Sequence, residues 1–164
     1  MIDHSYFSGK KNIDSMKIEY HLSENELYGE FKPKKTHVSY NHVVHGGLIA
    51  AILDDAMAYH INRKDIIAYT AKIEITYKKP LKIGTSYTIK SAITQLRKKF
   101  ILTEGRIEDK SRDIYVTAKA IFIRDKSWAA ILSLLKPTRY EYFNMLLFHR
   151  GERGGRRGFN PYCR

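Results

Sequence analysis

The run Gly46-Gly47-Leu48-Ile49-Ala50-Ala51-Ile52-Leu53-Asp54-Asp55-Ala56-Met57-Ala58-Tyr59-His60-Ile61 constrains the chain more than any other segment. It contains no proline and carries apolar side chains on nearly every face, which predicts a helix buried all round. Such a helix cannot stand in water alone. The rest of the chain has to cover it.

The flanking sequence supplies strands for that purpose. Ile18 and Tyr20, then Leu27, Gly29 and Phe31, bracket the polar Ser23-Glu24-Asn25-Glu26 and predict an antiparallel hairpin. After the helix, Ile73, Ile75 and Tyr77 alternate with Lys72, Glu74, Thr76 and Lys78, the period of a strand with one buried face, until Pro80 interrupts it. Alternation resumes at Tyr87, Ile89 and Ser91 beyond a turn at Gly84. The stretch Phe100 to Ile107 follows, and Tyr115 to Ile123 closes the series after Lys110-Ser111-Arg112-Asp113. A hairpin, one long apolar helix and three or four consecutive strands make an α+β order in which a largely antiparallel sheet wraps the helix. Nothing else in the body is expected to cover it.

The 164 residues suit one domain with a substantial core. Apolar stretches such as Leu48 to Leu53 and Trp128 to Leu135 fall short of the roughly 18 residues of a membrane span, and Met1-Ile2-Asp3-His4-Ser5 does not begin a secretory signal. A soluble, cytoplasmic protein with no membrane partner is expected. The single cysteine, Cys163, excludes an intrachain disulfide or a thiolate zinc cluster.

The net charge of +12 suits nucleic acid, an anionic membrane or a phosphate-rich ligand, so its distribution matters. Residues 1–126 hold 17 Lys and 5 Arg against 15 acidic groups, whereas residues 127–164 hold 1 Lys and 6 Arg against 2. This switch marks a domain boundary near Lys126. The region 127–164 reads as an Arg/Gly-rich extension, expected to be partly disordered, with one short amphipathic helix possible at Tyr140 to Phe148. No function is assigned to it, and a nucleic-acid partner is not expected.

Chemistry gathers where the helix begins, at Asn41-His42-Val43-Val44-His45-Gly46-Gly47. First-turn amides are unpaired donors at the positive end of the helix dipole, and glycine lets a ligand approach them, so they can hold a developing oxyanion. Asp54 follows Gly46 within roughly 80° in azimuth but about 12 Å further along the axis. One helix therefore cannot bring both to one carbonyl. A second copy packed antiparallel across a two-fold axis can. The same residues also admit a plain structural reading, with Gly-Gly as a tight turn and Asp54 or Asp55 bonded to backbone at a subunit contact. A carboxylate in so apolar a helix is costly without a partner, which favours a site. Asp54 and Asp55 point about 100° apart, so only one can share it, and position relative to Gly46 favours Asp54.

Two segments, His45 to Asp54 and Thr70-Ala71-Lys72-Ile73-Glu74-Ile75-Thr76-Tyr77-Lys78-Lys79-Pro80 with its Gly84 turn, resemble the hot-dog thioesterase superfamily, close to its PaaI-like acyl-CoA thioesterases. The resemblance spans residues 17 to 125. It implies a sheet wrapped around one helix, assembled edge to edge into a homodimer and often a tetramer. It also implies acyl-CoA thioester hydrolysis, with no cofactor beyond coenzyme A as part of the substrate. By the same resemblance the Gly46 amide, between His45 and Gly47, polarises the thioester carbonyl. Asp54 of the neighbouring subunit acts as general base or nucleophile, and Thr70 orients that carboxylate or its water. Many relatives place Asn and Gly where this chain has Ser39 and His42, which makes those two the local replacements beside the substrate.

Other residues carry a functional reading beside a bland one. Lys78-Lys79 and Arg97-Lys98-Lys99 suit coenzyme A phosphates or form a solvated basic face. Met57, Tyr59 and Ile61 line an acyl chain's path or simply fill the core. His42, His45 and His60 lack the partners of a zinc site, so no metal is expected; His45 anchors the helix start, and His60 lies near the helix end or the acyl pocket. Two alternatives to hydrolysis remain: a noncatalytic acyl-CoA sensor, and an acyl-thioester dehydratase, which would need a histidine facing a carboxylate.

Overall fold

The computed structural model describes residues 4–124. The expected extension at 127–164, with its helix at Tyr140 to Phe148, lies outside the described residues. Along the chain come β1 (Tyr20–Ser23), β2 (Glu26–Phe31), a 3-10 turn (Lys35–His37), β3 (Val38–Tyr40) and β4 (Val43–Val44). Then follow α1 (Gly46–Asn62), β5 (Ala68–Tyr77), β6 (Tyr87–Leu96), β7 (Phe100–Asp109) and β8 (Ile114–Arg124). Six strands form one sheet in the order β1-β2-β6-β7-β8-β5, every neighbouring pair antiparallel. The expected α+β architecture, a sheet around one long helix, is the one observed. Among the described residues no helix is long and apolar enough to cross a membrane.

The helix lies against the sheet's inner face through Ile49, Ile52, Leu53, Ala56, Met57, His60 and Ile61, the three-and-four spacing of one broad face. Each large apolar side chain buried there contributes roughly 1.5–3 kcal/mol. Opposite stand Leu27 and Phe31 of β2, Tyr87 and Ile89 of β6, Ile101 and Ile107 of β7, and Val116, Ala118, Ala120 and Phe122 of β8. Gly105 of β7 makes the closest approach possible. A Cβ there would stand 3.1 Å from Leu53 Cδ2 and 3.4 Å from Met57 Sδ.

The sheet does not cover the helix alone, contrary to expectation. Ile18 joins the core, Phe7 and Met16 pack against it, and Ser5 bonds to Asp55. The segment ahead of β1 lacks strand or helix periodicity, so its role as a cover leaves no pattern to read.

A small β3–β4 hairpin, also absent from the sequence-based reading, delivers the chain to the helix. Tyr40 pairs with Val43 across the two-residue turn Asn41-His42, whose φ angles are 47° and 63°. Two left-handed residues make the turn that suits a hairpin's twist. Asn tolerates that conformation; His42 pays about 1 kcal/mol for it.

Candidate active site

The helix start is fastened from several sides. Val44 donates its amide to Leu81 O at 2.9 Å, His45 donates to His37 O at 2.9 Å, and Ile83 donates to His42 O at 3.2 Å. His45 is the N-cap, its backbone extended at φ −60°, ψ 126°, and its Nδ1 accepts the Gly47 amide at 3.0 Å. An accepting Nδ1 places the neutral ring's proton on Nε2. The two glycines therefore differ. Gly47's amide is engaged by the cap, while Gly46's has no hydrogen-bond partner among the described residues. It is the free first-turn donor that helix geometry leaves over.

Gly46 opens onto a groove of about 340 Å³, lined also by Ser39, Ile49, Tyr77, Lys78 and Pro80. The Tyr77 hydroxyl donates to Gly46 O at 2.8 Å. Ser39 lines the groove, its hydroxyl 3.5 Å from Val43 O. Lys79 lines it too, but its ammonium is bound to Asp113 at 2.8 Å and lies over the Tyr115 ring. The hydrogen bond to Asp113 holds Lys79 above its ordinary pKa.

Asp54 and Asp55 diverge as the helical rotation demands. Thr70 Oγ1 donates to Asp54 Oδ1 at 2.7 Å, and Oδ2 has no hydrogen-bond partner among the described residues. Asp55 faces the other way, its Oδ1 accepting Ser5 Oγ at 2.7 Å, while its buried Oδ2 and the buried Ser8 and Tyr20 hydroxyls have no hydrogen-bond partner among the described residues. Burial raises the Asp55 pKa, the three hydroxyls oppose this, and the charge of Asp54 adds to the rise; the net shift is upward. Each carboxylate accepts one hydroxyl, but the spare oxygen of Asp54 is accessible, whereas that of Asp55 is buried beside the N-terminal segment.

Thr70 reaches Asp54 only because β5 is irregular. Its register against β8 shifts between Thr70 and Lys72, so Thr70, opposite Phe122, shares the inner face with Ile73, opposite Ala120, and Ile75, opposite Ala118. Strict alternation would have turned Thr70 outward with Lys72 and Glu74.

The remaining expected residues lie elsewhere in the fold. Met57 is fully buried, with Thr103 Oγ1 at 3.1 Å from its sulfur, a core position. Tyr59 packs against Tyr20, the rings tilted by 49° with centroids 5.1 Å apart, and borders a second groove with Lys10, Lys17 and Glu19. Arg97 sits in the β6–β7 turn, its amide bonded to Phe100 O. His42 is exposed in the hairpin turn and does not line the Gly46 groove. His60 is buried at the helix end, its Nδ1 3.4 Å from Ser91 Oγ, and burial lowers its pKa. Among the described residues no three His, Cys, Asp or Glu side chains gather closely enough to hold a metal ion.

A family model of the thioesterase superfamily matches residues 41–115, from the hairpin turn to the start of β8. Among solved structures, a thioesterase superfamily protein superposes with a TM-score of 0.69 at 20% identity, over 74% of this chain and 60% of its own. The chain thus spans less than two thirds of that relative. The PaaI protein of the Escherichia coli phenylacetic acid degradation operon gives 0.62 at 17% identity, over 65% and 82% of the two chains. A hypothetical thioesterase of Streptococcus pneumoniae, crystallised with coenzyme A, gives 0.62 at 16% identity, over 65% and 84%. That protein was also crystallised as two separate single variants, one with alanine replacing an aspartate at its position 52 and one with alanine replacing a threonine at its position 68, sixteen residues apart as Asp54 and Thr70 are here. No curated protein matches the chain.

Proposed function

We propose that this hot-dog protein of the thioesterase superfamily hydrolyses acyl-CoA thioesters, with Asp54 as its carboxylate and the Gly46 amide as oxyanion donor. The observation that carries the proposal is the pairing of a Thr70-oriented carboxylate with an unpartnered first-turn amide on one helix. Support comes from the coenzyme A bound to the Streptococcus thioesterase and from its two alanine variants at the same spacing.

On this reading the active assembly is a homodimer or tetramer. Gly46 and Asp54 stand about 12 Å apart along the axis, too far to serve one thioester, so each site takes Gly46 from one subunit and Asp54 from the other. The thioester carbonyl accepts the Gly46 N–H at the positive end of the helix. Asp54 either removes a proton from the attacking water or attacks the carbonyl carbon itself. On the water route, collapse of the tetrahedral adduct breaks the C–S bond, the thiolate takes the proton held by Asp54 and leaves as coenzyme A, and the acid remains; on the nucleophile route collapse leaves an acyl-Asp54 anhydride, which a water hydrolyses to the acid, restoring the carboxylate and supplying the thiolate's proton. No further cofactor enters this chemistry. Lys78 beside the groove offers a cation to the coenzyme A phosphates.

A dehydratase would need a mobile histidine facing the carboxylate. The imidazole of His45 is tied to the Gly47 amide instead, which favours hydrolysis.

Thiol release from short, medium, long and aromatic acyl-CoAs tests the proposal, run beside Asp54→Asn. Turnover by the wild type and its loss by at least 100-fold in the variant is the expected result. A wild type that binds acyl-CoA and releases no thiol would instead be a sensor.

A further inference from the structure

We infer that Tyr77 is a positioning residue for this hydrolysis: its hydroxyl holds the Gly46 backbone in the orientation that presents the oxyanion donor. The inference rests on the proposed thioesterase activity and adds to it a residue outside the Gly46–Asp54 pair.

Gly46 has reason to need a brace. It is the first residue of α1, followed by a second glycine, and the Gly46-Gly47 pair has more conformational freedom than any other step in the helix. The His45 cap holds Gly47, not Gly46. Tyr77 fills that gap. Its hydroxyl donates to Gly46 O at 2.8 Å, and its ring atoms Cζ and Cε1 lie 3.7 and 3.8 Å from where a Gly46 Cβ would stand. The ring also forms one wall of the groove onto which Gly46 opens.

Its place on β5 makes the contact a counterpart to that of Thr70. Near its start the strand bonds Thr70 to Asp54 and at its end Tyr77 to Gly46, so it runs antiparallel to α1 and touches both reactive positions. Tyr77 reaches the inner face on the regular alternation of Ile73 and Ile75, whereas Thr70 needs the register shift. A tyrosine half exposed on a strand is ordinarily indifferent to loss of its hydroxyl; this one spends it on the backbone of the proposed donor.

The test is Tyr77→Phe in the full-length protein, with Tyr77→Leu removing the ring as well and Thr76→Ala as a control on the strand's outer face. Tyr77→Phe is expected to lower kcat about tenfold, since small misplacements of a catalytic group cost that much or more, while KM moves less than twofold. The Kd of a non-hydrolysable acyl-CoA thioether should stay unchanged, and the melting temperature should match that of Thr76→Ala. The acid limb of the pH–rate profile should also stay where it is, because the carboxylate is untouched. Tyr77→Leu should lower kcat at least as far. Wild-type turnover with kcat preserved in Tyr77→Phe would overturn the role of Tyr77 and leave the hydrolase standing. A fall in kcat matched by equal weakening of thioether binding would also overturn it, making Tyr77 a general binding contact. Absence of wild-type turnover on every acyl-CoA would overturn the hydrolase reading and this inference with it.

Discussion

Asp54 and Asp55 are chemically identical neighbours with opposite employment. One accepts a single threonine hydroxyl and keeps an accessible oxygen free; the other accepts Ser5 and buries its second oxygen. The glycines divide in the same way, because the cap consumes the Gly47 amide and leaves that of Gly46. A substitution can isolate that single N–H. Proline is favoured at the first helical position, where its missing N–H has no intrahelical partner and its φ is already helical. The preceding His45 is extended, as a residue before proline prefers. Gly46→Pro should therefore fold with a melting temperature close to that of wild type and lose acyl-CoA hydrolysis by about 100-fold or more, as removal of an oxyanion donor does elsewhere. Full activity in a folded Gly46→Pro protein would exclude this amide from the chemistry.

Among elements, the sheet's outer face carries a charge lattice across β2, β6 and β7. Lys90 Nζ meets Glu108 at 2.7 Å, Arg106 Nε meets Glu108 at 3.0 Å, and Arg106 Nη1 meets Glu26 at 2.7 Å. Burial alone would raise the Glu108 pKa, but hydrogen bonds from Lys90 and Arg106 outweigh it and the net shift is downward. A carboxylate lowered on folding stabilises the fold above its unfolded pKa of about 4.3, and that contribution is lost as pH falls through the lower, folded value. Glu108→Gln should thus be less stable than wild type by about 1–2 kcal/mol at pH 7, with the gap closing as the pH drops below about 4. Urea unfolding of both proteins across that range measures it, and a gap constant with pH would show that the ion pairs contribute nothing. The difference between the two proteins is the useful quantity, because the raised pKa of Asp55 acts on both with opposite sign.

For the whole molecule the decisive question is whether each site draws on two chains. Gly46→Pro and Asp54→Asn remove different halves of the proposed machinery. Mixed under conditions that exchange subunits, the two inactive proteins form heterodimers with one doubly damaged site and one intact site. At equal ratio this restores about a quarter of wild-type activity if sites span a two-fold interface. No recovery, with exchange verified by mass, would show that each site lies within one chain.

Much of this architecture is legible in the primary structure. The apolar run from Gly46 to Ile61 required a covering sheet, the alternation around Ile73, Ile75 and Tyr77 marked a strand, and the Gly-Gly start with Asp54 eight residues on pointed to a site. These are periodic or local signals, which is why they survive in one dimension. Three features are not. The shift that turns Thr70 inward is a single-residue change of parity, invisible until β5 pairs with β8. The bond from Tyr77 to Gly46 O joins residues 31 positions apart through packing alone. The anchoring of Asp55 depends on Ser5, 50 positions away in a segment without periodicity. Covalent order determined which groups were present and how the helix spaced them. Only the closing of the sheet around that helix decided which amide stayed free, which carboxylate kept an open oxygen and which hydroxyls came to hold them.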